Sequence, residues 1–321
     1  AEQYETTRQT LRRALEVLAE DGIILRQKGR GTFVRDQDQA ELTEPVLYAG
    51  QYRSHFFSDL YLAVVREGQR LGRHVGAWDP TVEHSDRMLR ERLQQTADGG
   101  GRVICTGGSW PYLKSLVPSE LPPPVFIHVG EVSRPEPAYH VAVDQWRAVH
   151  VAAKHLIELG HRRLAFLGTH PVHHQSRELC EPIRASATYD AFLSAVQSSG
   201  ATVAGALGYY TTPEGAAGLA EEIRPNAYCA TEEEAEQLVR RFIGQLDGNT
   251  TGFVCDADFR AVTLSHALAA EGLRVPDDAS IVGVCNTPWC EAVRPKLTSV
   301  SLDPQALARL GFPVTGWSRS R

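Results

Sequence analysis

Apolar and polar positions along this chain follow two distinct rhythms. From residue 46 onward, short apolar runs recur at 46–49, 74–78, 102–105, 125–129, 140–143, 163–168, 206–210, 251–255, 280–284 and 297–301. Their length and composition predict strands. Between most of them lie stretches of helical period, at about 58–72, 84–97, 145–159, 187–198, 231–246 and 259–271. Such alternation predicts βαβ units and parallel sheets. Ten strands across residues 46–301 predict an α/β body of two doubly wound parallel-sheet lobes rather than one. Open sheets of this kind bind ligands beyond the carboxyl ends of their strands. The residues just after strands are therefore the candidates for a site, and two facing lobes would form a closing cleft.

The first 35 residues carry another pattern. Thr6 and Gln9 fit a capping box. Leu11, Leu15 and Leu18 recur at i, i+4 and i+7 as one apolar stripe, with Arg8, Gln9, Arg12 and Arg13 on the other side. Arg and Gln carry forked donors that match guanine and adenine edges. Asp21-Gly22 stops the helix, and 23–26 and 32–34 read as strands joined through Gln27-Lys28-Gly29-Arg30-Gly31. The glycines permit positive φ in a tight hairpin. Lys28 and Arg30 then stand at its tip, where cations reach phosphates or a minor groove. A solvated helix followed by an arbitrary basic hairpin is the plainer alternative, and it fits the two elements together less well. A polar stretch ending at Pro45 reads as a linker.

Composition narrows the partners. At 321 residues, 42% hydrophobic and 22% charged, the chain suits a soluble protein of two or three units. It holds no apolar run long enough to cross a membrane, and its first residues lack the basic and apolar parts of a secretory signal. A net charge of −6 argues against coating nucleic acid over the whole surface. The charge is uneven: residues 1–35 hold seven basic against five acidic side chains, leaving −8 for the remainder. Six cysteines without a Cys-x-x-Cys pair point to a reduced cytoplasm.

Thr7-x-x-x-Leu11-Arg12-Arg13-Ala14-Leu15-x-x-Leu18-x-x-x-Gly22, followed by Gly29-Arg30-Gly31-Thr32-Phe33-Val34, resembles the recognition helix and wing of the GntR family of bacterial regulators. The resemblance implies that Arg8, Gln9, Thr10, Arg12 and Arg13 meet bases or phosphates, and that Arg30 meets the minor groove or backbone. That family's two preceding helices are not in the chain, so this stretch is expected to be a partial winged helix-turn-helix, unable to bind operator DNA as it stands.

His155-Leu-Ile-Glu-Leu-Gly-His-Arg-Arg-Leu-Ala-Phe-Leu-Gly168 and Gly272-Leu-Arg-Val-Pro-Asp-Asp-Ala-Ser-Ile-Val-Gly283 resemble the LacI/GalR regulators and their type I periplasmic-binding-protein fold. Asp258-x-x-Ala261 and Leu297-Thr298-Ser299-Val300 fit the same family, over about Pro45 to Pro304. A GntR-type head on a LacI-type body is the architecture typified by arabinose-responsive repressors. The resemblance implies a cytoplasmic, ligand-responsive transcriptional repressor: a homodimer, paired partly through the helix at 58–71, that binds operator DNA and a small-molecule effector, usually a carbohydrate. It divides the chain into a head at 1–35, a linker at 36–45 and an effector domain at 46–321. Within the last, lobe 1 would take 46–143 and 285–302, and lobe 2 would take 144–284 and 303–310. The tail after Leu310 resembles no family segment, and the family's last strands are absent from it, as either a truncation or a changed reading frame would leave it.

A sugar site mixes carboxylates, amides, Arg and aromatic faces at strand ends. Phe56 and Phe57 fall in the expected loop after the first strand, where the resemblance places an aromatic contact; the alternative is the core of the next helix. Asp144 matches a cleft Asp and could equally cap the following helix. Asp258 matches the family's sugar-binding Asp, with a helix cap as its plainer role. Two departures qualify the sugar reading. Ala185 stands where the family has an Arg, with Arg184 one place earlier, and Val284-Cys285-Asn286-Thr287 replaces an acidic turn, so that Asn286 offers a donor and an acceptor instead of a carboxylate. His170, His173 and His174 lack partners at metal-ligand spacing, and Gly107-Gly108-Ser109 reads as an ordinary turn. No nucleophile elbow, zinc protease motif or nucleotide fingerprint occurs. An enzyme, a metal and a cofactor are not expected. A solute-binding protein and a degenerate regulator without a ligand are the alternatives.

Overall fold

The computed structural model describes residues 13, 15, 17, 24–27, 31–34, 45–50, 55–79, 85–106, 109, 113–128, 138–168, 187–208, 210–211, 228–229 and 231–312. Near the amino end, Arg13, Leu15 and Val17 are helical, with Arg13 exposed and Leu15 half-buried. Strands β1 (Ile24–Gln27) and β2 (Gly31–Val34) pair antiparallel, with Gln27 opposite Gly31. Only Lys28, Gly29 and Arg30 connect them, which is the expected tight hairpin. Among the predicted DNA-contacting residues, Arg8, Gln9, Thr10, Arg12, Lys28 and Arg30 lie outside the described residues.

The chain divides into two compact units. The first is built on β3 (Val46–Ala49), α1 (His55–Arg70), β4 (Val75–Trp78), α2 (Asp86–Asp98), β5 (Arg102–Thr106), β6 (Val125–His128) and β7 (Tyr139–Ala142). Its sheet runs β4-β3-β5-β6-β7, and β3 pairs parallel with both β4 and β5. The helix α2 shows how local chemistry sets such elements. The Ser85 side chain caps its start by accepting from Met88 N at 3.3 Å, and Leu89, Leu93 and Thr96 repeat on its buried face. Those leucines meet Leu47, Trp78, Val103, Cys105 and Phe126 in one core.

The second unit holds α3 (Gln145–Glu158), β8 (Arg163–Gly168), α4 (Ala187–Gln197), β9 (Thr202–Gly208), α5 (Glu232–Ile243), β12 (Gly252–Cys255), α6 (Asp258–Ala270), β13 (Ser280–Cys285), the short α7 (Trp289–Ala292) and β14 (Thr298–Ser301). Two short strands, β10 (Tyr210–Thr211) and β11 (Tyr228–Cys229), pair apart from the main sheet. The main sheet runs β14-β13-β12-β8-β9, with parallel pairing at each of its junctions. Parallel strands covered on both faces are almost wholly apolar, as in Leu-Ala-Phe-Leu-Gly of β8. Phe253, Cys255 and Ile281 pack against Ala261, Leu264 and Leu268 of α6 and against Val239 and Phe242 of α5. The motif that ends α3 does so through Gly160, whose φ of +101° lies where a side chain is rarely tolerated. Thr231 caps α5, three glutamates fill its first turn and Arg240 and Arg241 its last, each end complementing the helix dipole.

Three expectations change. The helix α1 begins at His55, so Phe56 and Phe57 lie in its first turn rather than in a loop. Phe56, Leu60, Ala63, Val64 and Glu67 form its buried stripe, so that helical repeat takes in Phe56, with Phe57 half-buried beside it. The stretch expected at 206–210 as one strand covers the end of β9, which starts at Thr202 and stops at Gly208, and the first residue of β10, Tyr210, which pairs with β11 instead. The lobe assignment of the carboxyl-terminal stretches is exchanged. Residues expected in lobe 1 contain β14, which pairs with β13 in the second sheet. Helix α8 (Pro304–Gly311), expected in lobe 2, belongs to the first unit. There its Gly311 approaches Ile127 so closely that an added Cβ would sit 3.1 Å from Ile127 Cδ1, and the ring of Phe312 lies beside Gly68. The backbone ladder of β13 favours the nearest extended segment, Thr298–Ser301, and the polar turn at Asp303, with φ of +44°, redirects the chain afterwards.

Candidate functional site

Three strands of the second sheet, β12, β13 and β14, bring polar side chains together at or beyond their carboxyl halves. Asp258 opens α6 and is only 1% exposed. Its N-cap neighbour Ala257 makes no side-chain cap bond, so Asp258 is not the cap of this helix. Its Oδ2 accepts from Thr287 N at 2.7 Å and from Thr287 Oγ1 at 2.9 Å, and its Oδ1 accepts from Ser299 Oγ at 2.5 Å. The register explains how Ser299 arrives, because it pairs with Gly283 across the β13–β14 ladder. Gly283 has no side chain to spare: an added Cβ would lie 2.5 Å from Asp258 Oδ1.

The same network shapes the turn after β13. Cys285 and Asn286 have φ of 113° and 53°, a region that residues other than glycine visit rarely. Asn286 N donates to Ser299 Oγ at 3.0 Å, while Asn286 itself is exposed. Burial pushes the Cys290 thiol up to about 12, with the Asp258 carboxylate adding to the effect. Burial likewise raises Cys285 well above the ordinary thiol value, with Asp258 and Asp256 next in importance. Both are neutral thiols at physiological pH, poor nucleophiles and poor metal ligands. Among the described residues, no group of three or more His, Cys, Asp or Glu side chains could hold a metal ion.

A second charged feature stands beside this network. Asp256 follows β12 directly, donates its N–H to Leu167 O at 3.0 Å, and pairs through Oδ1 with Arg260 Nη1 at 2.9 Å. The two side chains are 1% and 4% exposed. Arg260 also lies over the Phe259 ring, 4.4 Å from its centroid.

The predicted effector residues fall unevenly. Asp258 and Asn286 are brought together through Thr287 and Ser299. Asp144 caps α3, accepting from Arg147 N at 2.8 Å, and is exposed. Phe56 is buried in the core of the first unit, and Phe57 is half-buried with its ring edge-to-face on Phe56 at 6.0 Å. Arg184 and the three histidines at 170, 173 and 174 lie outside the described residues. Ser109 turns its hydroxyl onto Thr106 O at 2.6 Å, while Gly107 and Gly108 lie outside the described residues.

Sequence reasoning passed over Asp256, Arg260, Thr287 and Ser299. The Asp256–Arg260 spacing of four across a strand–helix junction was the available signal. Ser299 had none, since its role depends on which strand lies beside β13. A pocket of about 270 Å³ in the same unit, walled mainly by apolar side chains such as Leu156, Val262 and Leu297, includes none of these polar groups.

Comparison with known proteins places these features. The family described as bacterial regulatory proteins, gntR family, matches residues 1–34, and the periplasmic binding protein-like domain matches residues 153–312. An arabinose metabolism transcriptional repressor of Geobacillus stearothermophilus is 26% identical over 317 residues, covering 94% of this chain and 78% of the relative. Another of that description, from Halalkalibacterium halodurans, is 22% identical and covers 93% and 76%. Among solved structures, a LacI family regulator from Arthrobacter sp. FB24 in complex with lactose superposes with a TM-score of 0.62 at 20% identity, over 84% of this chain and 87% of that one. A periplasmic binding protein/LacI transcriptional regulator from Alkaliphilus metalliredigens complexed with D-xylulofuranose gives 0.55 at 14% identity, over 84% and 88%. At such identities the structural likeness establishes the fold.

Proposed function

We propose that this chain, which joins a gntR-type DNA-binding segment to a LacI/GalR-type, periplasmic-binding-protein-like effector domain, is a sugar-responsive transcriptional repressor working in the cytoplasm as a homodimer. One observation carries the reading: the basic hairpin β1–β2 precedes, in the same chain, a parallel sheet whose strand ends carry a built polar cluster. The hairpin tip brings cations to phosphates, which position a protein on DNA, while the helix ahead of it would read bases. Polar groups at the carboxyl ends of parallel strands are where such sheets take small ligands.

The effector we propose is a pentose or a related carbohydrate, taken up at the carboxyl ends of β8, β12, β13 and β14. The repressor names of the two relatives point to arabinose metabolism, and the ligands of the two solved structures are sugars. Effector binding would shift the head between DNA-competent and incompetent arrangements, and it can do so only by its difference in affinity for the two.

The protein should bind DNA from its own promoter region, measured by fluorescence anisotropy. L-arabinose, D-xylulose or lactose should weaken that binding by about five- to 150-fold. Operator affinity that none of these sugars alters would remove the sugar reading, and affinity no greater than for random DNA would remove the repressor reading.

A further inference from the structure

We infer that Asp258 is a positioning residue: it fixes the turn at 285–287, and Asn286 is the side chain that this turn offers to a bound small molecule. The inference rests on the reading of the second unit as an effector domain. It departs from the expectation that Asp258 itself grips the ligand.

A carboxylate has roughly four lone-pair sites. Asp258 has committed three of them to Thr287 N, Thr287 Oγ1 and Ser299 Oγ. A buried acid so occupied has little left for a hydroxyl of a ligand. To reach one, it would have to give up a bond inside the protein, and a buried donor left unpaired is costly. The same bonds end on a backbone that needs holding. Left-handed conformations at non-glycine residues persist only where their surroundings over-determine them, and Cys285 and Asn286 both adopt them. Thr287 binds Asp258 directly, and Asn286 N reaches it through Ser299 Oγ, which accepts from Asn286 and donates to Asp258. Asp258 is therefore the common anchor of the turn, tied at the same time to the first turn of α6 and to β14. Asn286, exposed next to this anchor, carries a carboxamide able both to donate and to accept.

The test compares wild type with Asp258→Asn, Asn286→Ala and the double variant, using L-arabinose as the probe. Thr287→Val and Ser299→Ala serve as further variants should Asp258→Asn fold poorly. The first readout is amide hydrogen exchange by NMR on the ligand-free protein. Asp258→Asn should accelerate exchange at Asn286 and Thr287 about tenfold or more, with Phe253 and Val254 in β12 unchanged. Thr287→Val and Ser299→Ala should each do the same in part. The second readout is L-arabinose affinity by calorimetry. Asp258→Asn and Asn286→Ala should each weaken it, and the double variant should be no weaker than Asn286→Ala alone. Wild-type exchange at 286–287 in Asp258→Asn, or losses of affinity that multiply in the double variant, would overturn the inference in favour of direct contact. If the wild type takes up no L-arabinose, the arabinose assignment fails while the exchange comparison still decides whether Asp258 holds the turn.

Discussion

Asp256, just after β12, and Arg260, in the first turn of α6, face each other at 2.9 Å, both almost wholly removed from solvent. A buried ion pair of this kind adds little net stability over an apolar substitute, because both charges lose their hydration. Losing one partner is different, since it strands the other charge. Arg260→Met should therefore destabilise the second unit by about 3–5 kcal/mol, read as a lower midpoint in guanidinium unfolding. Arg260→Met combined with Asp256→Asn should recover part of the loss. Two single losses that simply add would show that the side chains act independently.

Gly283 is a steric requirement of the Asp258 network. An added Cβ would stand 2.5 Å from Asp258 Oδ1 and 3.3 Å from Leu297 Cδ2. Gly283→Ala should cost about 1–3 kcal/mol, as overpacking does. Urea unfolding measures it, and an unchanged midpoint would show that Asp258 moves aside freely.

The first unit has a pH-sensitive contact in Glu67. Arg70 donates to both of its carboxylate oxygens, at 2.6 and 3.0 Å, and these bonds hold the Glu67 pKa below the ordinary glutamate value, with Arg70 and Arg309 charges contributing. A depressed folded pKa means that the stabilisation is complete above the unfolded value and fades as pH falls through the folded one. Thermal unfolding between pH 6 and 3 should show a shallower decline for Glu67→Gln than for wild type, taking roughly the span of ordinary glutamate titration as the window. Parallel curves would mean that the contact contributes nothing. Arg70 is largely exposed, so the difference is small.

His161 titrates in the opposite sense to a salt-bridged histidine. Burial lowers its pKa below 6.5, and its Nδ1 lies 2.8 Å from Thr251 Oγ1. The neutral ring is thus favoured in the fold. Its contribution is full above the unfolded value and declines as pH drops through 6.5 towards the folded pKa, because the unfolded chain takes up the proton more readily. NMR titration of the His161 ring should give a midpoint below 6.5. A midpoint at or above it would contradict this account.

At the other end of the chain, the β1–β2 connection carries Lys28 and Arg30. On the proposed phosphate-contacting role, Lys28→Ala and Arg30→Ala should weaken binding to operator and random DNA alike. Each should lower the slope of log affinity against log salt by about 1. Loss confined to operator DNA would assign them to base reading instead.

The sequence by itself determined the elements and their order. Apolar runs in β3, β5, β8 and β12 and the helical repeats of α2, α3 and α6 were legible because burial on a sheet demands them locally. The tight basic hairpin was legible for a similar reason, its glycines and its alternation being local properties. What lay beyond reach was the partnership of distant segments. The run at 297–301 reads as a strand, but only the ladder with β13 places Thr298–Ser301 in the second sheet and brings Ser299 to Asp258. The start of α1 three residues ahead of its expected position turned Phe56 from a contact candidate into a core residue. Asp258 shows the same division: its residue type and its place after a strand marked it as important. Whether its oxygens face a ligand or the protein was decided by donors 29 and 41 residues away, whose positions depend on tertiary packing.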